Sequence, residues 1–253
     1  MQELLEKIYE QNLFLIEQIA IIKDQQQFLE QEIKQINNQT KIKCTITDFC
    51  ITEARETTAK YIIKNMPKVS VLNSAQELLT FSLKKVQKEG MFLEFGVFKG
   101  STINHISSVA DEKQIFGFDS FEGLPETWRS GFHKGCFSVN TLPEVNSNVT
   151  LIKGLFEDSL PKFLEDHKED CAFIHIDCDL YSSTKTIFEL LKSRIKTGTI
   201  IVFDEYFNYP SWEEGEFKAF QEFIKDSDYD YRYIGYNRNH QQCAIRIVDK
   251  VNN

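Results

Sequence analysis

Two short acidic segments carry the strongest chemical signal in this sequence, because each follows directly on an apolar run. They are Asp177-Cys178-Asp179, after residues 173–176, and Asp204-Glu205, after residues 200–203. Short apolar runs rich in β-branched residues are typical of buried parallel strands. Ligands of open α/β sheets bind just beyond the carboxyl ends of such strands. Carboxylates on two neighbouring strand ends can converge on one point, and an oxygen-rich cluster of that kind suits a hard divalent cation.

A glycine-containing segment after an earlier apolar run indicates a second kind of binding site. The segment is Glu94-Phe95-Gly96-Val97-Phe98-Lys99-Gly100-Ser101. Glycines allow the backbone to turn tightly and to approach a ligand, and a following helix offers its N-terminus to an anion. Gly96 and Gly100 are four positions apart, so the middle glycine of the dinucleotide-binding motif is missing. A tight turn without a ligand therefore remains an alternative.

Asp119 strengthens the ligand interpretation of that segment. It follows the next strand-like run, where an acidic side chain is placed to accept hydrogen bonds from a ribose diol. The glycine segment and Asp119 together favour an adenosine ligand, and the missing glycine argues against a pyrophosphate in that ligand. S-adenosylmethionine is the foremost candidate.

The elements that must position these residues are predicted from hydrophobic patterning. The strand-like runs are Met91–Phe95, Gln114–Phe118, Val149–Lys153, Ala172–Ile176, Thr199–Phe203, Tyr231–Tyr236 and Cys243–Val248. Helical patterns separate the first five runs, and the loop signal at 237–241 suits a hairpin. Strand–helix units that end in a hairpin predict an α/β fold. We expect residues 91–253 to form a Rossmann-like, doubly wound, mostly parallel seven-stranded sheet with an antiparallel C-terminal strand.

Residues 1–38 form a segment with its own pattern. One heptad position reads Met1, Ile8, Leu15, Ile22, Leu29 and Ile36, and the position three before it reads Leu5, Asn12, Ile19, Gln26 and Ile33. This a/d pattern predicts a coiled-coil helix that joins copies of the chain into a homo-oligomer. The alternative is an amphipathic helix packed on its own domain, because Phe14, Ile21 and Phe28 form a second apolar line beside the seam.

Residues 39–90 are predicted to be a helical connector or lid. One helix is expected from Thr52 to about Asn65, before Pro67, and a second from Ser74 toward Gly90. Such helices could cover a neighbouring pocket.

Composition and charge argue against several classes of protein. The net charge of −9, without a Lys/Arg cluster, argues against a nucleic acid partner. The six cysteines show neither a C-x-x-C pair nor zinc spacing, so we expect reduced thiols in a cytoplasmic protein. The first residues do not read as a signal peptide. The most apolar early run, Leu13 to Ile22, is much shorter than the roughly 20 residues that a membrane span needs.

Five motifs occur in a fixed order along the C-terminal part of the chain. They are the glycine segment 94–101, Gly117-Phe118-Asp119-Ser120-Phe121-Glu122-Gly123-Leu124-Pro125, Lys153-Gly154-Leu155-Phe156-Glu157-Asp158-Ser159-Leu160-Pro161, Ile176-Asp177-Cys178-Asp179-Leu180-Tyr181-Ser182-Ser183-Thr184 and Phe203-Asp204-Glu205-Tyr206. This set resembles the macrocin O-methyltransferase family of class I S-adenosylmethionine-dependent methyltransferases. The resemblance covers about residues 90–248, and it implies transfer of a methyl group to the hydroxyl of a nucleotide-linked or glycan-linked sugar, with a bound Mg²⁺ ion.

The resemblance also implies a role for individual residues. Asp177, Asp204 and Glu205 would hold the metal, although Glu205 departs from the Asp-Asp pair that is usual in the family. The cofactor pocket would be lined by Glu94, Gly96, Gly100, Ser101, Asp119, Ser120, Glu157 and Asp158. Asp119 would bind the ribose hydroxyls, and Asp158 would lie near the adenine.

Methyl transfer to a sugar requires that the acceptor hydroxyl lose its proton. A divalent cation would lower the pKa of that hydroxyl, and a nearby base would take the proton. Asp177 is the first candidate for this base because it lies at both the metal and the strand end. A metal-bound carboxylate is a poor base, so Asp179 is the alternative. Strand alternation would place Asp177 and Asp179 on one face, with Cys178 turned away.

Several alternatives stay open at this point. The acceptor could be a small phenol or catechol, or the domain could be a vestigial methyltransferase within a non-catalytic scaffold. We interpret His240 as a surface residue of the hairpin loop and His175 as a hydrogen-bonded core residue. The aromatic residues after the acidic pair could stack on a sugar or simply pack a helix; they are Tyr206, Phe207, Tyr209 and Trp212.

Overall fold

The computed structural model describes residues 45–250 without a gap. Before them it describes residues 25–34 and the single positions Met1, Lys7, Tyr9, Gln11, Leu15, Gln18, Ile19, Ile22 and Lys23. The chain divides into two compact units, Met1–Phe49 and Cys50–Asn253. No helix in the described parts of the chain is long and apolar enough to cross a membrane.

Apart from Met1, the described residues of the predicted coiled-coil seam are helical. Residues 25–34 form continuous helix, and the described seam residues in it and before it expose more than half of their surface: Leu15, Ile19, Ile22, Leu29 and Ile33. The other predicted apolar seam residues, Leu5, Ile8 and Ile36, lie outside the described residues, as does Asn12. The coiled coil therefore stays a prediction, with an apolar stripe that is exposed on the single chain as its support.

The C-terminal unit alternates strands with helices. Its strands are β1 (Ser70–Leu72), β2 (Met91–Phe95), β3 (Ile115–Asp119), β4 (Val149–Lys153), β5 (Cys171–Ile176), β6 (Ile200–Phe203), β7 (Tyr229–Asn237) and β8 (Cys243–Asp249). Its helices are α1 (Ile46–Asn65), which begins in the N-terminal unit, α2 (Ala75–Leu83), α3 (Ser101–Ala110), α4 (Phe156–Asp166), α5 (Tyr181–Leu191), the short 3₁₀ helix Trp212–Glu214 and α6 (Glu216–Lys225).

All eight strands form one sheet in the order β1-β7-β8-β6-β5-β2-β3-β4. Strand β8 pairs antiparallel with both β6 and β7, whereas the other pairings are parallel. The mostly parallel doubly wound sheet with an antiparallel C-terminal strand is therefore confirmed.

The sheet contains one strand more than the sequence predicted. Strand β1 lies inside the segment 39–90, for which only helices were predicted, and it pairs with β7 at the edge of the sheet. Three residues are too few to show a strand period, so hydrophobic patterning could not reveal β1. Helix α2 begins as predicted after Ser74, whose side chain accepts a hydrogen bond from the Glu77 backbone N–H, but it ends at Leu83, before Gly90.

Burial on both faces explains the apolar runs of the central strands. Every residue of β2, β5 and β6 is buried. Alternate residues of these strands face two hydrophobic clusters: Leu93, Ile174 and Ile201 belong to one, and Phe92, Phe173 and Val202 to the other. A sheet covered on both faces leaves the carboxyl ends of its strands as the place for a ligand.

We propose that residues 1–38 assemble copies of the chain through the exposed stripe. Replacement of Leu15, Ile22 and Leu29 by Gln should lower the mass of the oligomer, because the stripe would no longer exclude water from a partner helix. Light scattering after size-exclusion chromatography measures that mass. Deletion of residues 1–38 should also lower the mass of the oligomer, and the remaining domain should keep a cooperative thermal transition.

The matched control replaces Gln11, Gln18 and Gln25 by Ala, since these residues recur at the same interval outside the seam. The control should keep the parent mass. Unchanged mass in both the Gln-substituted variant and the truncated protein would refute the coiled-coil proposal.

Candidate active site

A cavity of about 490 Å³ opens at the carboxyl ends of β2, β3 and β5. The chain leaves β2 toward β3 and β4 on one side and later forms β5 on the other side of β2. The cavity therefore lies at the topological switch point of the sheet, where ligands of such folds bind. Its lining includes these predicted site residues: Gly96, Ser101, Asp119, Ser120, Glu157, Asp177, Asp179 and Glu205.

Gly96 allows the end of β2 to lie directly against the end of β5. Its φ is 92°, and a Cβ atom at this position would come within 1.7 Å of the Asp177 carbonyl oxygen. A side chain here would therefore push Asp177 away from the crevice. Gly100 also has a positive φ, but it precedes α3 without lining the cavity, and Ser101 is the first residue of α3 that reaches it.

Asp119 organises the turn after β2. One oxygen of its carboxylate accepts hydrogen bonds from the backbone N–H groups of Val97 and Phe98, each at 2.8 Å, and the other accepts one from Phe121 at 2.7 Å. A carboxylate offers about four acceptor positions. Asp119 therefore fixes the loop around the cavity and keeps about one position for a ligand hydroxyl.

Glu94 does not line the cavity, although it was predicted to do so. It is fully buried in β2, where its Oε1 lies 2.9 Å from Nδ1 of His175. Burial lowers the pKa of His175, but the bond to Glu94 and the charge of that carboxyl outweigh it and raise the pKa to about 9. Burial likewise raises the pKa of Glu94. The contact with Glu94 therefore favours the protonated form of His175 at neutral pH.

His175 is only partly the hydrogen-bonded core residue that the sequence indicated. Its Nδ1 is bonded to Glu94, but its buried Nε2 has no hydrogen-bond partner. One ligand atom of each of His175, Asp177 and Asp204 lies within 4.8 Å of the other two. Strand pairing produces this grouping, because Asp177 N bonds to Phe95 O and Asp204 N bonds to Ile176 O, each at 2.9 Å.

Glu205 lies beside this group without belonging to it. Its side chain is buried against the cavity, and its Oε2 has no hydrogen-bond partner. Its backbone N–H donates to Oε2 of Glu216 at 3.2 Å. A role of Glu205 as a metal ligand therefore stays a prediction, while Asp177 and Asp204 are brought together as expected.

The buried carboxyl groups of the site raise one another's pKa. Burial and then the charge of Asp204 hold the pKa of Asp177 well above its usual range. Burial and then the charges of Asp204 and Glu216 do the same for Glu205. Burial is also the largest cause of the raised pKa of Glu216, followed by the charge of Asp179. Such mutual repulsion favours either protonation of these groups or a bound cation.

The backbone of Asp179 has an unusual conformation. Its φ is 64°, in the left-handed region that residues other than glycine rarely adopt. Burial raises the pKa of Asp179 to about 7, Arg129 opposes that rise, and Asp204 adds to it. Strand β5 has already ended at Ile176, so alternation does not apply beyond it. Cys178 is among the residues that line the cavity, while its Sγ lies 3.4 Å from the buried Thr184 hydroxyl and its side chain belongs to the hydrophobic core.

The long segment between β3 and β4 forms a wall of the cavity that the sequence analysis missed. Gly123, Leu124, Pro125, Glu126 and Phe137 line the cavity from this side. Oε1 of Glu126 accepts a hydrogen bond of 2.6 Å from the Ser182 hydroxyl, which ties the wall to α5. The Gly123-Leu124-Pro125 motif was visible in the sequence, but the contact between Glu126 and α5 was not.

Arg129 is a second feature of this wall that no sequence signal indicated. Its guanidinium carbon lies 3.7 Å above the Trp128 ring and 5.1 Å above the rings of Phe132 and Tyr209. Three aromatic faces hold the cation beside the acidic site. Trp128 and Arg129 are neighbours in sequence, but Tyr209 comes from beyond β6.

The remaining predicted residues are peripheral or belong to the core. Asp158 is exposed and does not line the cavity, whereas its neighbour Glu157 does. The aromatic residues after Glu205 pack in the core of the domain. They expose 4% or less of their surface: Tyr206, Phe207, Tyr209 and Trp212. His240 lies in the turn before β8, as expected, with its Nδ1 bonded to Gln242.

Comparison with known proteins agrees with the motif order. Residues 93–206 match a family model described as a methyltransferase domain. The chain is 28% identical over 142 residues to the 8-demethyl-8-(2,3-dimethoxy-alpha-L-rhamnosyl)-tetracenomycin-C 4'-O-methyltransferase of Streptomyces olivaceus. That match covers 46% of this chain and 53% of the relative, so the chain spans about half of the length of the relative.

Two solved structures share the fold. The calicheamicin methyltransferase CalS11 superposes with a TM-score of 0.54 and 22% identity, over 68% of this chain and 77% of the other. The O-methyltransferase NovP superposes with a TM-score of 0.52 and 19% identity, over 68% and 78%. At these identities the likeness establishes the fold alone. The matched methyltransferase domain, the Streptomyces relative and the order of the five motifs agree with the resemblance to the macrocin O-methyltransferase-like family.

Proposed function

We propose that the protein transfers the methyl group of S-adenosylmethionine to a sugar hydroxyl with the help of a divalent cation. One observation carries the proposal: the glycine turn, Asp119 and Asp177 line one cavity at the switch point of the sheet, and carboxylate oxygens of Asp177 and Asp204 lie within 4.8 Å of each other. The turn and Asp119 fit a nucleoside, and the pair fits a cation that activates an alcohol.

The sugar acceptor is supported by the relatives. The name of the Streptomyces enzyme describes O-methylation of a rhamnosyl group. This chain is 28% identical to that enzyme over 142 residues. A nucleotide-linked or glycan-linked sugar is therefore the acceptor class that we propose, ahead of a small phenol or catechol.

The residues present fit a divalent cation. Carboxylate oxygens of Asp177 and Asp204 and one ring nitrogen of His175 lie within 4.8 Å of one another, and Glu205 adds a buried carboxylate oxygen without a hydrogen bond. We propose Asp177 and Asp204 as ligands, with Glu205 as a third. A bound Mg²⁺ ion would supply the charge that lowers the pKa of the acceptor hydroxyl.

Asp179 is the better candidate for the general base. Asp177 and Asp204 are committed to the cation, which weakens them as bases, whereas Asp179 lines the cavity outside the group of close ligand atoms. Arg129, held by its aromatic neighbours, favours the ionised form of Asp179 that can take the proton. We therefore propose that Asp179 removes the hydroxyl proton as the methyl group moves.

The decisive experiment combines calorimetry with a product screen. S-adenosylhomocysteine should bind the protein with Mg²⁺ present, and mass spectrometry should detect the gain of one methyl group on a member of a sugar-nucleotide and rhamnoside panel. Methylation of catechols instead of sugars would overturn the acceptor class. The absence of any heat with S-adenosylhomocysteine would overturn the enzymatic proposal and favour a scaffold.

Asp119→Asn should weaken binding of S-adenosylhomocysteine by roughly tenfold or more, because charge-assisted bonds to the loop and to the ribose would be lost. Calorimetry measures this affinity. Glu122→Gln is the control, since Glu122 lies three residues away with a side chain that is 79% exposed. Equal affinity in both variants would contradict the role of Asp119.

Asp204→Asn should abolish turnover and weaken metal binding without unfolding the protein. The loss of one charge from a crowded acidic group removes repulsion, so the melting temperature of the metal-free variant should not fall. Electron paramagnetic resonance of Mn²⁺ reports binding independently of activity. Asp226→Asn, at the exposed end of α6, is the control. Parent-like turnover of Asp204→Asn in excess Mg²⁺ would count against the metal site.

Asp179→Asn should lower kcat by roughly 10²- to 10⁴-fold, the usual contribution of a general base, with little change in affinity for S-adenosylhomocysteine. Asn tolerates the left-handed backbone of this position, so the fold should persist. Asp111→Asn is a matched control, because Asp111 also has a positive φ, of 36°, at the end of α3. A kcat close to that of the parent would assign the base elsewhere, with Asp177 as the next candidate.

A further inference from the structure

A second, smaller cavity is lined by Asp204. Its volume is about 190 Å³, and it lies between the first turns of α2 and α3. Asp204 lines this cavity, whereas Asp177 and Glu205 line the larger one. Ser101 and Thr102 line both cavities. The proposed metal ligands therefore stand where the two spaces meet.

We propose that the smaller cavity is the acceptor subsite and receives the sugar ring that carries the reacting hydroxyl. This inference rests on the proposed function and names the place of its second substrate. Methyl transfer from a sulfonium is an in-line displacement: a new oxygen–methyl bond forms as the sulfur–methyl bond breaks, the bonding electrons return to sulfur, and a base takes the hydroxyl proton. Donor and acceptor must therefore approach the methyl group from opposite directions.

The chemistry of the two cavities assigns one substrate to each. The larger cavity contains the glycine turn, Asp119 and Glu157, which are the groups that suit a nucleoside. The smaller cavity has none of these groups, but it is lined by Asp204. It therefore suits the second substrate, which accepts the methyl group. Two neighbouring hydroxyls of a sugar could face Asp204 and its cation there.

The walls of the smaller cavity fit a sugar. Gln76, Ser101, Thr102 and His105 supply amide, hydroxyl and imidazole groups, which bind hydroxyl groups as donors or acceptors. Ala75 and Leu79 supply an apolar surface for the carbon face of a ring. A mixture of a few placed polar groups with apolar walls is usual for a small-molecule site.

Two hydrogen-bond partners hold the His105 ring in the wall of the smaller cavity. Its Nε2 lies 3.0 Å from the Thr80 hydroxyl and 3.3 Å from the Gln76 carbonyl oxygen. A carbonyl oxygen only accepts, so Nε2 carries the proton in the neutral ring that makes this bond. Nδ1 is then an acceptor, and a sugar hydroxyl is the kind of donor that it can bind.

The test uses a substitution that fills the smaller cavity and measures the binding of a defined sugar probe. The probe is methyl α-L-rhamnopyranoside, which carries a vicinal diol, and its binding is measured by saturation-transfer NMR with Mg²⁺ and S-adenosylhomocysteine present. Ala75→Leu adds a branched side chain at the half-buried first residue of α2 and should weaken probe binding about tenfold or more. Gln76→Ala should weaken it roughly two- to tenfold, the effect of one neutral hydrogen bond.

The matched control is Ala59→Leu, the same change at an exposed position of α1 outside both cavities. It should bind the probe as the parent does. Affinity for S-adenosylhomocysteine, measured by calorimetry, should be the same in all four proteins. Loss of probe binding in Ala75→Leu with parent-like cofactor affinity and melting temperature supports the acceptor subsite.

Three outcomes would overturn the inference. Probe binding could be unchanged in Ala75→Leu, or absent from a parent protein that binds S-adenosylhomocysteine. Ala75→Leu could instead weaken the cofactor and spare the probe, which would assign the small cavity to the methionine end of the cofactor. If the parent does not bind S-adenosylhomocysteine at all, the proposed function fails, and the acceptor subsite fails with it.

Discussion

The repulsion among carboxylates at the ends of β5 and β6 is the constraint on which the rest of the site depends. Asp177, Glu205 and Glu216 are buried enough that the pKa of each is raised, and the charge of Asp204 contributes to every one of these rises. In a medium of low dielectric constant, like charges at such separations oppose folding. A fold that keeps them together is organised for a cation or a proton rather than for stability.

Backbone geometry keeps these groups in place against their repulsion. Parallel pairing fixes the ends of β2, β5 and β6 in register, and Gly96 allows the first two to touch. The Glu94–His175 pair lies one step inside the sheet and presents the unpartnered Nε2 of His175 near Asp177 and Asp204. Carboxylates held by strand ends cannot move apart as surface side chains would. The sheet therefore supplies the rigidity that a preorganised site requires.

Local sequence patterns were sufficient for the parts of the site that strands position. Asp119, Asp177 and Asp204 each follow a buried apolar run, and parallel strands bring the ends of such runs to one edge. The same reasoning failed where the backbone departs from a strand. It assumed strand alternation as far as Asp179, whose backbone in fact has a positive φ. It also missed β1, which is too short to carry a period.

Contacts between distant segments could not be read from the sequence. Glu216 opens α6 and resembles an ordinary helix-start residue, yet it is fully buried and accepts the Glu205 backbone N–H. Arg129 looks like a loop residue until Tyr209, 80 positions later, completes its aromatic surroundings. Such residues acquire a role only after the sheet has brought remote loops together.

The balance of charge at the site follows from these long-range contacts. Asp179 has an acid on one side, Asp204, and a cation on the other, Arg129, and their effects on its pKa are opposite. A base needs a proton affinity close to the ambient pH, high enough to take a proton and low enough to be ionised beforehand. Burial raises the pKa of Asp179 to about 7, Arg129 opposes that rise, and the charge of Asp204 adds to it. The aromatic wall that holds Arg129 beside the acids therefore favours the ionised form of Asp179, which can take a proton.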